Sequence, residues 1–423
     1  MLKAGVSIID ISPKEGVQLA GYPHQTRENI GIHNPIYASV LYLENSGEKI
    51  VFVNTELLYF GKKFVKELRA EYGMNMVFTA THTHCAPWSS ELLASELADG
   101  FTLNDDYIAF LMKSVRTAIN EALANTFDAE FGYNTVKCGA SMGIGGNRHD
   151  PKGLCDDNLG VLAVRDMKGT VRYIMNTYAL HPTLLHEDNL YVTGDYPSYI
   201  RRFLKFAFPE AHYGFVQGCS GDQSTRYFRV GQDFEEAARV GTTIGVEIYH
   251  AIEGMTFSSD VAINYASKEI ELPLKNFPPL EEAERRLALA EADFNSKKDA
   301  DFLTRWNSEL RLFGAQSTRA FSILASKNYK SPELPYEIDH IMIGDLNILT
   351  AQGELFTEIG LKVKSNFPEG KAFFFAVTNG TAPGYVYNQE AVEEGGYEYG
   401  NSMFGETAHL IVVDEFKNLI KGE

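Results

Sequence analysis

Cysteine is scarce in this sequence, and long apolar runs are absent from it. The 423 residues include four cysteines, Cys85, Cys138, Cys155 and Cys219, and no CxxC pair. This usage excludes a disulfide framework and a cysteine-based zinc knuckle. No stretch reaches the roughly 18 apolar residues of a membrane-spanning helix, so we predict no integral membrane segment. The N-terminus, MLKAGVSIIDISP, lacks the form of a secretory signal, which favours a cytoplasmic protein, although a trimmed secreted chain would look the same.

Basic residues are also under-represented. The chain has 38 Lys and Arg against 56 Asp and Glu, a formal net charge of −18. Such a surface repels phosphate backbones, so nucleic acid is excluded as an expected partner. A small molecule is the partner that we expect, and the sequence does not determine the oligomeric state.

Strand and helix patterns alternate along the whole chain. The runs ASVLYLE and KIVFVNT are joined by Asn45-Ser46-Gly47-Glu48, which is typical of a hairpin. Apolar spacing predicts helices over 62–72 and 105–125, and MNMVFTAT reads as a buried strand. No linker or internal repeat divides the sequence. We therefore predict one large α/β domain over residues 1–423, with mixed sheets flanked by helices.

The segment 278–325 differs from the rest of the chain. Ala283, Leu287, Ala290 and Phe294 recur at helical spacing among many charged residues. The pattern predicts a helical excursion, and the simplest interpretation is a solvated surface pair of helices without chemistry.

Two histidine clusters follow predicted strands. In FTATHTHCAPW, His82 and His84 lie two residues apart and would share one side if the strand continued through them. In MNTYALHPT, a β run ends at His181-Pro182. Histidines at two strand ends of one α/β domain suit a metal site, whereas the plainer interpretation is that they are polar loop residues.

A third cluster lies in the small-residue loop GCSGDQS, residues 218–224. Its backbone N–H groups could face an anion, and the pattern is not the GxSxG elbow of serine hydrolases. Cys219, Ser220 and Ser224 are candidate nucleophiles or simply turn residues.

Several motifs together resemble the neutral/alkaline non-lysosomal ceramidases. THTHCAP, ALHPT, TGDYP and GCSGDQS occur in the family's order, and the likeness extends from AGYPHQ through GGNRHDP to GELFTEIG and GYVYNQEAVEEGGYEYG. The resemblance implies the ceramidase-like catalytic fold and a zinc amidase.

The resemblance also implies a role for particular residues. The Zn²⁺ ligands would be His82, His181, Glu354 and Tyr385. His84 would handle protons, Arg148 would contact substrate, and Ser224 and Tyr397 would lie at the catalytic site. Tyr385 is preferred over Tyr387 because a second tyrosine, Tyr397, follows it at the family's spacing. Ser224 keeps the G-D-x-S core, but Thr225-Arg226 replaces the family's Pro-Asn.

The expected reaction is hydrolysis of a linear amide by metal-activated water, with His84 or Asp195 moving the proton. By the resemblance we expect a catalytic domain without the family's immunoglobulin-like C-terminal module, and the net charge is acidic. We therefore expect an N-acyl substrate smaller and more soluble than ceramide. The alternatives are a metal-independent hydrolase that uses Ser224 or Cys219 with His84, and a non-catalytic binding relative.

Overall fold

A computed structural model of the chain describes residues 1–422 except 23–24, 91–101, 329–332, 381 and 383. The strands are β1 (Lys3–Asp10), β2 (Gly31–Ile32), β3 (Tyr37–Asn45), β4 (Glu48–Thr55), β5 (Asn75–Ala80), β6 (Phe127–Lys137), β7 (Gly146–Asn147), β8 (Asn158–Asp166), β9 (Val171–Tyr178), β10 (Tyr191–Val192), β11 (His212–Gln217), β12 (Gln223–Ser224), β13 (Phe257–Ser258), β14 (Ile263–Pro273), β15 (Glu333–Ile343), β16 (Leu346–Ala351), β17 (Glu354–Leu355), β18 (Ala372–Phe375) and β19 (Tyr385–Val386). The helices are α1 (Lys62–Tyr72), α2 (Asp105–Ala124), α3 (Tyr196–Ala207), α4 (Phe234–Glu253), α5 (Leu280–Ser296), α6 (Phe302–Asn328), α7 (Thr357–Lys364), α8 (Gln389–Glu394), α9 (Tyr397–Gly400) and α10 (Ala408–Lys421).

Two mixed sheets form the centre of the fold. The larger has the order β11-β9-β8-β6-β1-β3-β4-β5, with β13 also paired to β6, and the smaller has the order β14-β15-β16-β18. Both contain parallel and antiparallel pairs; β4–β5, β9–β11 and β16–β18 are parallel. Helices cover them, which confirms the predicted α/β domain of mixed sheets flanked by helices. Among the described residues, none of the helices combines the length and apolar character needed to cross a bilayer.

The larger sheet is strongly curved. Asn54 on β4 donates a side-chain hydrogen bond to the carbonyl of Phe215 on β11, although these strands lie toward opposite ends of the sheet order. Its concave face packs against the smaller sheet, where the rings of Phe52 and Phe375 meet edge to face at 6.4 Å. The outer face is covered by α1 and α2 on one half and by α3 and α4 on the other. Burial of these apolar faces is the main driving force for the fold.

The curvature brings several strand ends to one place. The segment after β18 lies between β11 and β5, because Ala376 N–H donates to the Gln217 carbonyl and Ala80 N–H donates to the Val377 carbonyl. The residues that follow β5, β9, β11, β16 and β18 therefore gather at one end of the domain. The histidine and GCSGDQS clusters lie on these segments.

Candidate metal centre and active site

Two histidines are fixed by backbone carbonyls at this end of the domain. His82 Nδ1 is 3.1 Å from the Leu58 carbonyl oxygen, and His181 Nδ1 is 2.7 Å from the Ser220 carbonyl oxygen. Because a carbonyl oxygen only accepts, Nδ1 carries the hydrogen in both rings, and Nε2 is left for another partner. Both side chains are buried, at 1% and 2% exposure. A carbonyl on Nδ1 is how proteins orient a histidine that binds a metal through Nε2.

Both Nε2 atoms face a single carboxylate oxygen. Glu354 Oε2 is 2.9 Å from His181 Nε2 and 3.3 Å from His82 Nε2. Burial alone would raise the pKa of Glu354, but positively charged His82 and His181 imidazoles that donate to it would hold that pKa well below its usual value. A carboxylate oxygen and two nitrogen lone pairs repel one another unless a proton or a cation lies among them. A positive charge among these three atoms, from a proton or a metal ion, would therefore stabilise the cluster.

His84 adds a third imidazole to the cluster. Its ring centroid is 5.1 Å from that of His82 and 6.2 Å from that of His181, and one ligand atom from each ring lies within 4.8 Å of the others. Both ring nitrogens of His84 are buried without a hydrogen-bond partner among the described residues. Burial, together with the facing His82 and His181, holds the pKa of His84 well below its ordinary value.

The route by which His82 and His84 converge differs from the predicted one. Strand β5 ends at Ala80, so it does not continue through the two histidines. His82 has φ 65°, the left-handed conformation that costs a non-glycine residue about 1 kcal/mol or more. The turn that results, rather than strand alternation, places the two rings together.

Sequence reasoning missed Tyr59, which contacts the cluster directly. Its hydroxyl donates to Glu354 Oε1 at 2.8 Å, and its ring lies edge to face with His82 at 5.1 Å. The only signal was the position of Tyr59 a few residues beyond a buried strand. The Tyr59 hydroxyl is hydrogen-bonded to the carboxylate oxygen that does not face the histidines. This bond fixes the orientation of the Glu354 carboxylate.

Tyr385 and Tyr387 have different surroundings in the structure, and only Tyr385 lies beside Glu354. Strands β17 and β19 pair in parallel with Glu354 opposite Tyr385, so Tyr385 lies beside the carboxylate. The hydroxyl of Tyr387 instead donates to the Phe404 carbonyl at 2.7 Å. The structure thus brings Tyr385 to the cluster, and its role as a ligand stays a prediction.

Arg148 lies over the same tyrosine. Its guanidinium carbon is 5.4 Å from the Tyr385 ring centroid and 5.9 Å from that of Tyr397. Its Nε donates to Glu398 Oε1 at 2.6 Å, and His149 Nε2 is 3.1 Å from the same oxygen. Burial would raise the pKa of Glu398, but Arg148 and His149 lower it. Glu398, a second residue that sequence reasoning missed, therefore holds Arg148 in place as a buried ion pair.

The candidate nucleophiles have other structural roles. Ser224 is buried beside the site, and its Oγ accepts from Arg226 N–H at 3.2 Å. Cys219 packs so closely under α7 that a Cβ on Gly360 would lie 2.6 Å from its Sγ, and burial raises its pKa well above normal. Within the described part of the chain, neither side chain is hydrogen-bonded to His84. These contacts give no support to a serine or cysteine nucleophile.

Asp195 is also committed to structure. Its Oδ1 accepts from Tyr196 N–H at 2.6 Å as the cap of α3, and its Oδ2 accepts from Leu185 N–H at 2.9 Å. Asp195 thus accepts hydrogen bonds, as the sequence indicated, but both of its oxygens face backbone N–H groups. These contacts give no support to Asp195 as the group that moves the proton, and that role stays a prediction. His84, whose ring nitrogens have no hydrogen-bond partner among the described residues, is better placed to move a proton.

The chain resembles known proteins in sequence and in fold. Residues 2–212 match the sequence profile of the family described as neutral/alkaline non-lysosomal ceramidase, N-terminal. Neutral ceramidases of Drosophila pseudoobscura pseudoobscura and Drosophila melanogaster are each 24% identical to it over 229 residues, which is 48% of this chain and 32% of theirs. Neutral ceramidase B of Dictyostelium discoideum is 25% identical over 223 residues, which is 46% of this chain and 31% of that protein. The chain thus spans about a third of the length of these curated relatives.

The fold likeness extends further along the chain than the sequence likeness. The crystal structure of neutral ceramidase from Pseudomonas aeruginosa superposes with a TM-score of 0.73 at 16% identity, covering 99% of this chain and 74% of that one. This similarity covers nearly the whole chain, whereas the family profile ends at residue 212, before Glu354 and Tyr385. Taken together, the family profile, the curated relatives and the shared fold show that the chain belongs to the neutral/alkaline non-lysosomal ceramidase family.

Proposed function

We propose that this protein is a metal-dependent hydrolase that cleaves an N-acyl amide with water, releasing a carboxylic acid and an amine. The observation that carries the proposal is the pair of carbonyl-anchored histidines, His82 and His181, whose Nε2 atoms face one oxygen of Glu354. Two imidazoles and one carboxylate form the ligand set of many catalytic zinc sites. The relatives named neutral ceramidase support an amide bond as the target.

The donor set fits Zn²⁺. His82, His181 and Glu354 would hold the ion together with Tyr385. When bound, the ion supplies Lewis acidity toward the scissile carbonyl and lowers the pKa of water. The remaining steps belong to protein side chains.

His84 is the proposed proton carrier. Its ring nitrogens have no hydrogen-bond partner within the described part of the chain, so they can take a proton from the attacking water and give it to the departing amine. Arg148, held by Glu398 and lying beside Tyr385 and Tyr397, can donate to the carbonyl oxygen of the substrate. Ser224 lies on β12, which pairs with β7 just before Arg148, and can help to orient the substrate.

We further propose that the natural substrate is smaller and more soluble than ceramide. The support is the net charge of −18, which disfavours contact with anionic membrane surfaces.

Metal content and amide hydrolysis together test this function. Purified protein is analysed for zinc and assayed on N-acyl amides of graded chain length, alongside His82→Ala and His181→Ala. We expect about one zinc per chain in the wild type and at least a thousandfold loss of kcat/KM in both variants, as for removal of other essential catalytic groups. His250→Ala, which changes an exposed histidine of α4, is the matched control.

Wild-type protein that takes up no zinc on reconstitution would refute the metal-dependent mechanism. Retained turnover in both histidine variants would do the same. Cleavage of long-chain ceramide alone would contradict the proposed substrate size and leave the mechanism intact.

A further inference from the structure

A chain of half-buried side chains leads from His84 toward the solvent. The Tyr22 ring lies 5.1 Å from the His84 ring, the His186 ring lies 5.3 Å from Tyr22, and the Trp306 ring lies 6.1 Å from His186. The guanidinium carbon of Arg226 is 4.8 Å from the centre of the Trp306 ring. We call Tyr22, His186, Trp306 and Arg226 the rim.

Arg226 connects the rim to the candidate active site. Its Nη1 donates to the carbonyl oxygen of Arg148 at 2.9 Å, and its backbone N–H donates to Ser224 Oγ. Arg226 thus lies between the proposed substrate-orienting residues and Trp306. Its guanidinium group makes this wall cationic.

The helical excursion supplies the outer part of the rim. Trp306 belongs to α6, which packs against the segment of Tyr397 so closely that a Cβ on Gly400 would lie 2.7 Å from the Cα of Gly314. The excursion is therefore a wall of the candidate active site, and its role is larger than that of the solvated helix pair that the sequence suggested.

Positive charge is concentrated beside Arg226. Burial and the guanidinium groups of Arg148 and Arg229 lower the pKa of Arg226 to about 10, and the opposing carboxylate is Glu398. Glu398 is already engaged by Arg148 and His149. A partly buried arginine that faces other arginines is stabilised by an anion, and its planar group suits a carboxylate.

We propose that Arg226, stacked on Trp306, is a specificity-determining residue that binds a carboxylate of the substrate near the scissile amide, as in an N-acyl amino acid. This inference rests on the proposed amidase function and names its substrate class. Arg148 would orient the amide carbonyl while Arg226 binds the acid.

Matched substrates and variants test the proposal. The wild type, Arg226→Gln and Arg226→Lys are assayed on N-octanoyl glycine and on N-octanoyl ethanolamine, which differ in the carboxylate. We expect the wild type to prefer the acid by about tenfold or more in kcat/KM, Arg226→Gln to lose that preference mainly through KM, and Arg226→Lys to recover part of it. Arg165→Gln is the matched control, because Arg165 also lies over an aromatic ring, Phe257, and pairs with Glu130. It should keep the preference.

A binding measurement separates this inference from the amidase proposal. N-octylsulfonyl glycine and N-octylsulfonyl ethanolamine resist hydrolysis, and their affinities are compared by calorimetry. We expect the wild type to bind the acid about tenfold more tightly than the alcohol. In Arg226→Gln the two compounds should bind with equal affinity. If the wild type cleaves neither amide but shows this difference, the amidase proposal fails and the carboxylate site stands. Equal affinities in the wild type, or equal losses for acid and neutral compounds in Arg226→Gln, overturn the carboxylate site.

Discussion

The hydrogen bond from Tyr59 to Glu354 leads to a quantitative prediction about the proposed metal centre. In Tyr59→Phe the ring keeps its edge-to-face contact with His82, and the hydroxyl that donates to Glu354 Oε1 at 2.8 Å is lost. A hydrogen bond to a charged group contributes about 1.5–3 kcal/mol. Because about 1.4 kcal/mol corresponds to a factor of ten, zinc affinity should fall roughly 10- to 100-fold.

Competition with a chelator of known affinity measures this change. Tyr387→Phe is the control, since it also removes a buried tyrosine hydrogen bond, the one to the Phe404 carbonyl at 2.7 Å, but away from the cluster. We expect both variants to lose some thermal stability and only Tyr59→Phe to lose zinc affinity. Unchanged affinity in Tyr59→Phe, or an equal loss in Tyr387→Phe, would refute the idea that Tyr59 fixes the carboxylate.

Two further predictions concern Glu398 and Cys219. Glu398→Gln leaves the buried Arg148 unpaired, so the free energy of unfolding at pH 7 should fall by about 3–5 kcal/mol. Because Arg148 and His149 lower the pKa of Glu398, the wild-type advantage is present above about pH 4.3 and shrinks as the pH falls below it, which urea unfolding at pH 7 and pH 3.5 would detect. An advantage that does not change with pH would contradict this ion-pair account. Cys219→Ser should retain amide hydrolysis within about threefold, since burial under Gly360 keeps the thiol from the substrate; near-complete loss would return Cys219 to the mechanism.

The regular elements followed from the sequence, because local periodicity determines them. Helix α1 occupies the predicted range, the hairpin turns at Ser46-Gly47, and two helices, α5 and α6, form the predicted excursion. The start of helix α3 at Tyr196 is set by the Asp195 side chain, which caps it. Such caps depend on backbone geometry that hydrophobic spacing does not report.

The site was less accessible to sequence reasoning. Motif order drew attention to His82, His181 and Glu354, which the fold brings together. Tyr59 and Trp306 lie outside the quoted motifs, and Glu398 lies within one of them without a pattern that marks it. Each of the three matters only through a neighbour distant in sequence. The left-handed turn at His82 is likewise invisible in a pattern that continues the strand. Long-range contacts of this kind arise from the curvature of the larger sheet, and a short stretch of sequence does not indicate that curvature.

The wide sequence separation across the cluster has a consequence for how the protein matures. Tyr59 and Glu354 are 295 residues apart, and His181 and Glu354 are 173 apart. During synthesis the histidines therefore leave the ribosome long before their carboxylate partner. Until the strands around Glu354 dock, a captured metal ion would be held only loosely by imidazoles. If the proposed metal site is correct, tight binding of the ion requires that the strands around Glu354 have docked, so metal uptake would be a late step of folding.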